Sequence, residues 1–184
     1  TMPLGGVYAE QLLIINMLSD VSDKYNLKIF VKEHPRSFDR DRYIRRKKDY
    51  YDRIASLENV FLIDSKIDSS LLIDKSKYIA TCTGTAGWEG FLRDKPVLCF
   101  GCIFYDNAPL VFQIKSMDDL TKALDSTVKN VNQDKYEKYA YIKALDLLTY
   151  NSFVGDKIPL VCEHVRAKSD ENTLRAFNQE LNSI

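Results

Sequence analysis

Apolar residues recur along this chain with two periods, and the alternation between them sets out the fold. Leu12, Leu13, Ile14, Ile15, Met17, Leu18 and Val21 make one helix nearly all-round apolar, opened by Gly5-Gly6 and ending near Asn26. A helix that is apolar all round is buried on several sides. Lys28 to Val31 is a short β-branched and aromatic run, which reads as a strand. Tyr43, Lys47, Tyr50, Ile54 and Leu57 follow at spacings of four, three, four and three, a helical stripe.

The same alternation then repeats. Val60–Ile63 reads as a strand and Ser70–Lys75 as a short helix. Tyr78–Thr81 is a third strand, Gly84–Arg93 a helix, and Val97–Phe100 a fourth strand. Short apolar strands separated by helices imply right-handed crossovers and a parallel sheet covered on both faces. After Ser116 the chain turns helical, over Met117–Val128, Tyr136–Leu148 and Asn172–Leu181. The expectation is an α/β, Rossmann-like domain over residues 1–184, with a core of about 1–130 and a helical extension of about 131–184. A doubly wound sheet opens on a strand, and Thr1–Tyr8 is too short and glycine-rich to supply one. The chain is therefore expected to be a piece of a longer, two-domain protein.

Composition narrows the class. Lys plus Arg and Asp plus Glu each number 26, so the net charge is zero and no nucleic-acid partner is expected. The longest apolar run, Leu12 to Leu18, is broken by Asn16 and falls far short of the roughly 20 residues that span a membrane. No secretory leader is evident, and four cysteines are too few for a disulfide framework, so a cytosolic setting is expected.

Ligands of open α/β sheets bind beyond the carboxyl ends of the strands. There the sequence offers Lys32-Glu33-His34-Pro35, Asp64-Ser65, Thr81 to Gly87 and Gly101-Cys102, and the sharpest signals are His34 and, as the second segment, Thr83-Gly84-Thr85-Ala86-Gly87-Trp88-Glu89-Gly90. Pro35 forces His34 into an extended conformation at the sheet's rim. The plain alternative is a His-Pro turn that closes a strand. In the second segment, glycines and small hydroxyl residues at a strand-to-helix turn let backbone N–H groups approach an anion. Glu89, one turn in, is placed to accept from ribose hydroxyls; the alternative is a tight turn with an acidic residue near the helix start. Neither Gly-x-Gly-x-x-Gly after a strand nor Gly-Lys-Ser/Thr occurs, which removes dinucleotide and P-loop readings.

Other clusters are weaker. Cys99-Phe100-Gly101-Cys102 with Cys162 and His164 has a zinc-like composition, but Cys99 falls inside an apolar strand, so no metal is expected. Asp39-Arg40-Asp41 reads as acidic capping at a helix start. Arg45-Arg46-Lys47-Lys48 spreads around a helix as a solvated face, with peripheral contact to anionic lipid or glycan as the lesser reading.

Three stretches taken together resemble the capsule polysaccharide biosynthesis family, the bacterial surface-glycan transferases that include the Kdo transferases. They are Pro3–Gln11, Val31–Arg36, and Thr83–Gly90 continuing through Lys95-Pro96-Val97-Leu98. The resemblance implies a GT-B glycosyltransferase, with two Rossmann-like domains and the active site between them. This chain looks like the second, donor-binding domain, extended by C-terminal helices. Carried over, the nucleotide-binding set is Lys32, Glu33, His34, Pro35, Thr83, Gly84, Thr85, Ala86 and Glu89, with His34 also the catalytic group.

The implied substrate is a sugar nucleotide, a CMP-sugar before a UDP-sugar. No cofactor or metal is implied, because a helix N-terminus, hydroxyls and His34 can stabilise the departing phosphate. The acceptor, a glycan or glycolipid, would be held by the other domain, at the inner face of the cytoplasmic membrane. A sugar-nucleotide 2-epimerase is the alternative enzyme, although its loop reads Asp-Ser-Gly-Gly where this one reads Thr-Gly-Thr-Ala-Gly-Trp. A non-catalytic nucleotide-binding module is the third reading.

Overall fold

The computed structural model describes residues 7–8, 10–34, 48–129 and 135–148. Pro35, the pairs Gly5-Gly6 and Cys162/His164, Asp39–Asp41, Tyr43–Lys47 and the expected helix Asn172–Leu181 lie outside them. The chain divides into two compact units, Thr1–Asp134 and Lys135–Ile184.

The first unit is α/β. Its helices are α1 (Gln11–Ser22), α2 (Lys48–Ala55), α3 (Ser69–Lys75), α4 (Thr85–Leu92) and α5 (Met117–Lys129). Its strands are β1 (Ile29–Lys32), β2 (Val60–Ile63), β3 (Ile79–Thr81), β4 (Val97–Cys99) and β5 (Val111–Gln113). All strand pairs are parallel, as expected for strands joined by helical crossovers. The pairing is not one sheet, however. β1 pairs with β2, and β3, β4 and β5 form a separate ladder in that order. β5 was not expected; it is three residues long and follows Pro109 and Leu110, whose φ of 61° turns the chain into it.

Strand alternation assigns the two faces. On one face of the larger ladder, Leu98 and Phe100 pack with Ile14, Val21, Leu120 and Leu124 of α1 and α5. On the other, Gly90 of α4 lies against Ile79 and Val97, and Gly87 against the Thr81 methyl. Helices thus cover both faces, the Rossmann-like arrangement. The smaller ladder buries Val60 with Ile54 of α2 and with Leu12 and Ile15 of α1. The expected stripe of Tyr50, Ile54 and Leu57 packs in this cluster.

α1 accordingly joins both clusters, which accounts for most of its broad apolar surface, although Leu13 is 51% exposed. Ile14 and Val21 face the larger ladder while Leu12 and Ile15 face the smaller one. Each fully buried aliphatic side chain of this kind contributes about 1.5–3 kcal/mol. The helix stops at Ser22, and Asn26 takes the left-handed conformation (φ 49°) in the turn that follows. The Asn59 amide then ties the turn before β2 to α1, donating to Ser22 Oγ at 3.1 Å.

In the second unit, α6 (Lys135–Leu148) is the described element. Lys143 and Asp146 pair along it at 3.1 Å. Among the described residues, no helix is long and apolar enough to cross a membrane.

Candidate functional site

The expected site residues sit at the carboxyl ends of two strands. Lys32 closes β1, and its Nζ donates to Ser69 Oγ at 3.1 Å, at the start of α3. Glu33 is buried, while His34 is exposed. Thr83, Gly84, Thr85 and Ala86 follow β3, with Gly84 and Thr85 exposed. The two loops belong to different ladders, because β1 pairs with β2 and β3 with β4. No strand pairing among the described residues sets them side by side.

The β3–α4 turn is held by buried and half-buried partners while Gly84 and Thr85 stay exposed. Gly84 is the N-cap of α4, in an extended conformation, and no side chain caps the helix. By contrast, Asp68 accepts from the Ser70 amide to cap α3, and Ser116 accepts from the Asp119 amide at 3.1 Å to cap α5. The first amides of α4, like those of α1, have no side-chain acceptor at the cap, and at α4 the cap residue and the first residue are exposed glycine and threonine, an arrangement that suits a bound anion.

Two residues outside the expected set hold this turn in place. Thr81 Oγ1 accepts from the Gly84 amide at 3.0 Å. The Tyr105 hydroxyl donates to the Gly84 carbonyl from a ring that is fully buried. Burial, with a lesser contribution from the Cys99 thiol, pushes the Tyr105 pKa up to about 12, against a hydrogen bond from the Trp88 backbone that lowers it. Tyr105 thus stays a neutral donor through the physiological range.

Neither residue was singled out from the sequence. Thr81 was read as the end of a strand and the first residue of its strand-end loop, with no role of its own. Tyr105 lies 21 residues from its partner, in a loop without periodicity. The one available signal was small residues at 84 and 87, which leave room for a ring. A Cβ on Gly87 would lie 2.4 Å from the Tyr105 hydroxyl and 2.8 Å from the Thr81 methyl.

An aromatic group borders the same turn. Trp88 is half-buried, with ring centroids 5.2 Å from Phe91, 5.4 Å from Phe104 and 6.0 Å from Tyr105. Phe104 is 63% exposed, on the loop after β4. Glu89 is further into α4 than its first turn. Its carboxylate lies 3.8 Å from Arg93, whose guanidinium also reaches Asp74 at 3.1 Å.

Residues 8–144, most of the chain, match the family model for capsule polysaccharide biosynthesis protein. The chain belongs to that family. Searches of curated proteins and of solved structures returned no match. The matched segment contains both strand-end loops and the whole of the larger ladder, so this capsule-biosynthesis domain has its open α4 terminus inside the family's shared region.

Cys99 sits in the core. Cys99 is buried in β4, its thiol donates to the Gly101 carbonyl at 3.3 Å, and burial pushes its pKa up. Cys102 is exposed. Among the described residues no group of three His, Cys, Asp or Glu side chains converges as metal ligands would.

Proposed function

We propose that this domain binds the sugar-nucleotide donor of a glycosyltransferase in surface-polysaccharide synthesis, with a CMP-sugar as the donor. The observation behind the proposal is the uncapped, exposed start of α4 after β3, held in place by Thr81 and Tyr105. Glycosyl transfer makes the nucleotide phosphate depart with growing negative charge. Preorganised N–H donors at a helix terminus stabilise such charge, because they need no reorganisation as it develops. The helix end adds a field worth about 0.3–1 kcal/mol, up to about 2 when partly buried.

In this reading Thr85 and Ala86 supply backbone donors, Gly84, whose own amide is held by Thr81, leaves room for close approach, and Thr83 and Thr85 supply hydroxyls. His34, on the neighbouring ladder, contributes a ring N–H from the opposite side of the phosphate, with Lys32, Glu33 and Pro35 shaping its loop. Glu89 meets the nucleoside hydroxyls, which requires that it leave Arg93 when the donor binds. The acceptor glycan or glycolipid comes from a second domain, and the reaction runs without a metal.

Titration calorimetry with CMP, UDP and NAD tests the assignment, with CMP expected to bind best. A hydrogen bond to a charged group is worth about 1.5–3 kcal/mol, so His34→Ala should weaken CMP binding at least roughly tenfold. Its melting temperature should hardly move, since His34 is exposed. Glu89→Ala should weaken CMP while leaving inorganic phosphate unchanged or improved. Preference for UDP would sink the cytidine assignment. A sharp fall in melting temperature with unchanged affinity for His34→Ala would return that residue to a structural turn.

A further inference from the structure

We infer that Phe104 and Trp88 form an aromatic shelf for the transferred sugar of the donor, with Asp106 and Asn107 in the same loop to meet sugar hydroxyls. The inference rests on the donor reading above and assigns the one part of the donor, its sugar, that this reading leaves unplaced.

Topology puts the shelf at the turn. β4 runs parallel to β3 and pairs with it, so the loop after β4 emerges beside the β3–α4 turn, at the same edge of the ladder. Tyr105 belongs to both. Its hydroxyl holds the Gly84 carbonyl, and its ring centroid lies 5.1 Å from Phe104 and 6.0 Å from Trp88. Phe104 and Trp88 are themselves 5.4 Å apart. An anion at the first amides of α4 therefore has this group of rings next to it.

The two flanks of α4 differ. Successive helical residues are about 100° apart around the axis, and the partners of Trp88 and Glu89 show that these two leave the helix on different flanks. Glu89 meets Arg93, which reaches Asp74 of α3, whereas Trp88 meets the loop after β4. A sugar nucleotide carries its nucleoside on one side of the sugar-linked phosphate and its sugar on the other. With the nucleoside on the Glu89 flank, the sugar falls on the aromatic flank.

The chemistry of that flank suits a sugar ring. Phe104 keeps 63% of its surface exposed although Trp88 and Tyr105 lie beside it. A lone exposed aromatic needs no explanation, but a group of rings with a few polar groups at a strand-end loop is the make-up of a ligand site. An aromatic face carries negative charge density and attracts the positively polarised C–H face of a sugar ring. Asn107 donates to Asp106 Oδ1 at 2.9 Å, with Asp106 half-buried and Asn107 exposed. A carboxylate and an amide together offer acceptors and donors, and sugar hydroxyls use both.

Titration calorimetry with CMP, UDP, CMP-N-acetylneuraminate and UDP-N-acetylglucosamine tests the shelf. At least one of the two sugar nucleotides should bind about fivefold or more tighter than its own free nucleotide, the increment expected from one stacked ring. Phe104→Ala should abolish that increment and leave the affinity for the free nucleotide unchanged. Its melting temperature should hardly move, because Phe104 is exposed. Phe104→Tyr, which restores the ring, should restore the increment. The shelf is overturned, with the donor reading intact, if the parent shows no increment for either sugar, if Phe104→Ala leaves the increment unchanged, or if it weakens free nucleotide and sugar nucleotide alike. A parent that binds none of the nucleotides removes the donor reading, and the shelf with it.

Discussion

Gly87→Ala offers the sharpest check on how the β3–α4 turn is held. In a free helix this change would stabilise by about 1 kcal/mol, because glycine is the poorer helix former. Here the new methyl would lie 2.4 Å from the Tyr105 hydroxyl, 2.8 Å from the Thr81 methyl and 3.0 Å from a Tyr105 ring carbon. Carbon contacts settle near 3.5–4.0 Å, so the ring would have to retreat by about 1 Å. Tyr105 is fully buried and held to the Gly84 carbonyl, which leaves it little room. Overpacking of this kind costs about 1–3 kcal/mol, and losing the hydrogen bond adds about 0.5–1.5. Against the helical gain, the net loss is about 0.5–3.5 kcal/mol.

Urea unfolding followed by fluorescence of Trp88, the single tryptophan, reads this change at the site itself. Affinity for CMP should fall with it, because the carbonyl that orients the turn is released. Combining the change with Tyr105→Phe removes the shortest contact but leaves the Thr81 methyl. The double variant should therefore lose less than the sum of the singles. If Gly87→Ala proves more stable than the parent, the packing argument fails, and with it the claim that Tyr105 positions the loop.

Three further expectations can be measured directly. The raised pKa of Tyr105 means the folded state holds that proton more tightly than the unfolded chain, so this source of stability is full below pH 10 and declines as pH rises toward 12; unfolding curves across that range should be flatter for Tyr105→Phe, and equal slopes would refute the assignment. Trp88→Ala should cost about 2 kcal/mol, below the roughly 3–5 of a fully buried ring because Trp88 is half-buried, and its melting temperature should fall accordingly. Ser116→Ala should lower stability by about 1 kcal/mol in the same assay, since Ser116 caps α5 and also donates to Asp119 Oδ2 at 2.8 Å.

The elements were legible where one local signal sufficed. Apolar runs marked β1 to β4, and the 3.6-residue stripe of Tyr50 and Ile54 marked α2. The apolar excess of α1 correctly announced burial on several sides, yet it could not reveal that those sides belong to two ladders. Strand partners are set by contacts distant in sequence, such as Ile29 with Val60 or Ile79 with Val97. β5 escaped because three residues are too few to show alternation. At the site, glycine and threonine spacing located the turn, whereas the groups that fix it came from a strand end and a loop beyond β4.

That division of labour explains why the turn looks weak when read alone. Because Gly84 is itself a tolerated cap, a side-chain cap on α4 would add only a few tenths of a kcal/mol, less than the roughly 1 kcal/mol that Asp68 and Ser116 give their helices relative to alanine. It would also occupy the amides that an anion needs. The fold instead holds the Gly84 carbonyl with a buried tyrosine and its amide with a strand threonine, while Gly84 and Thr85 stay exposed. Glycine at 84 and 87 follows from the same requirement, because a Cβ at 84 would meet Thr81 Oγ1 at 2.8 Å and one at 87 would displace Tyr105. Local capping is given up at this helix start, and tertiary contacts from Thr81 and Tyr105 restore the order it lacks.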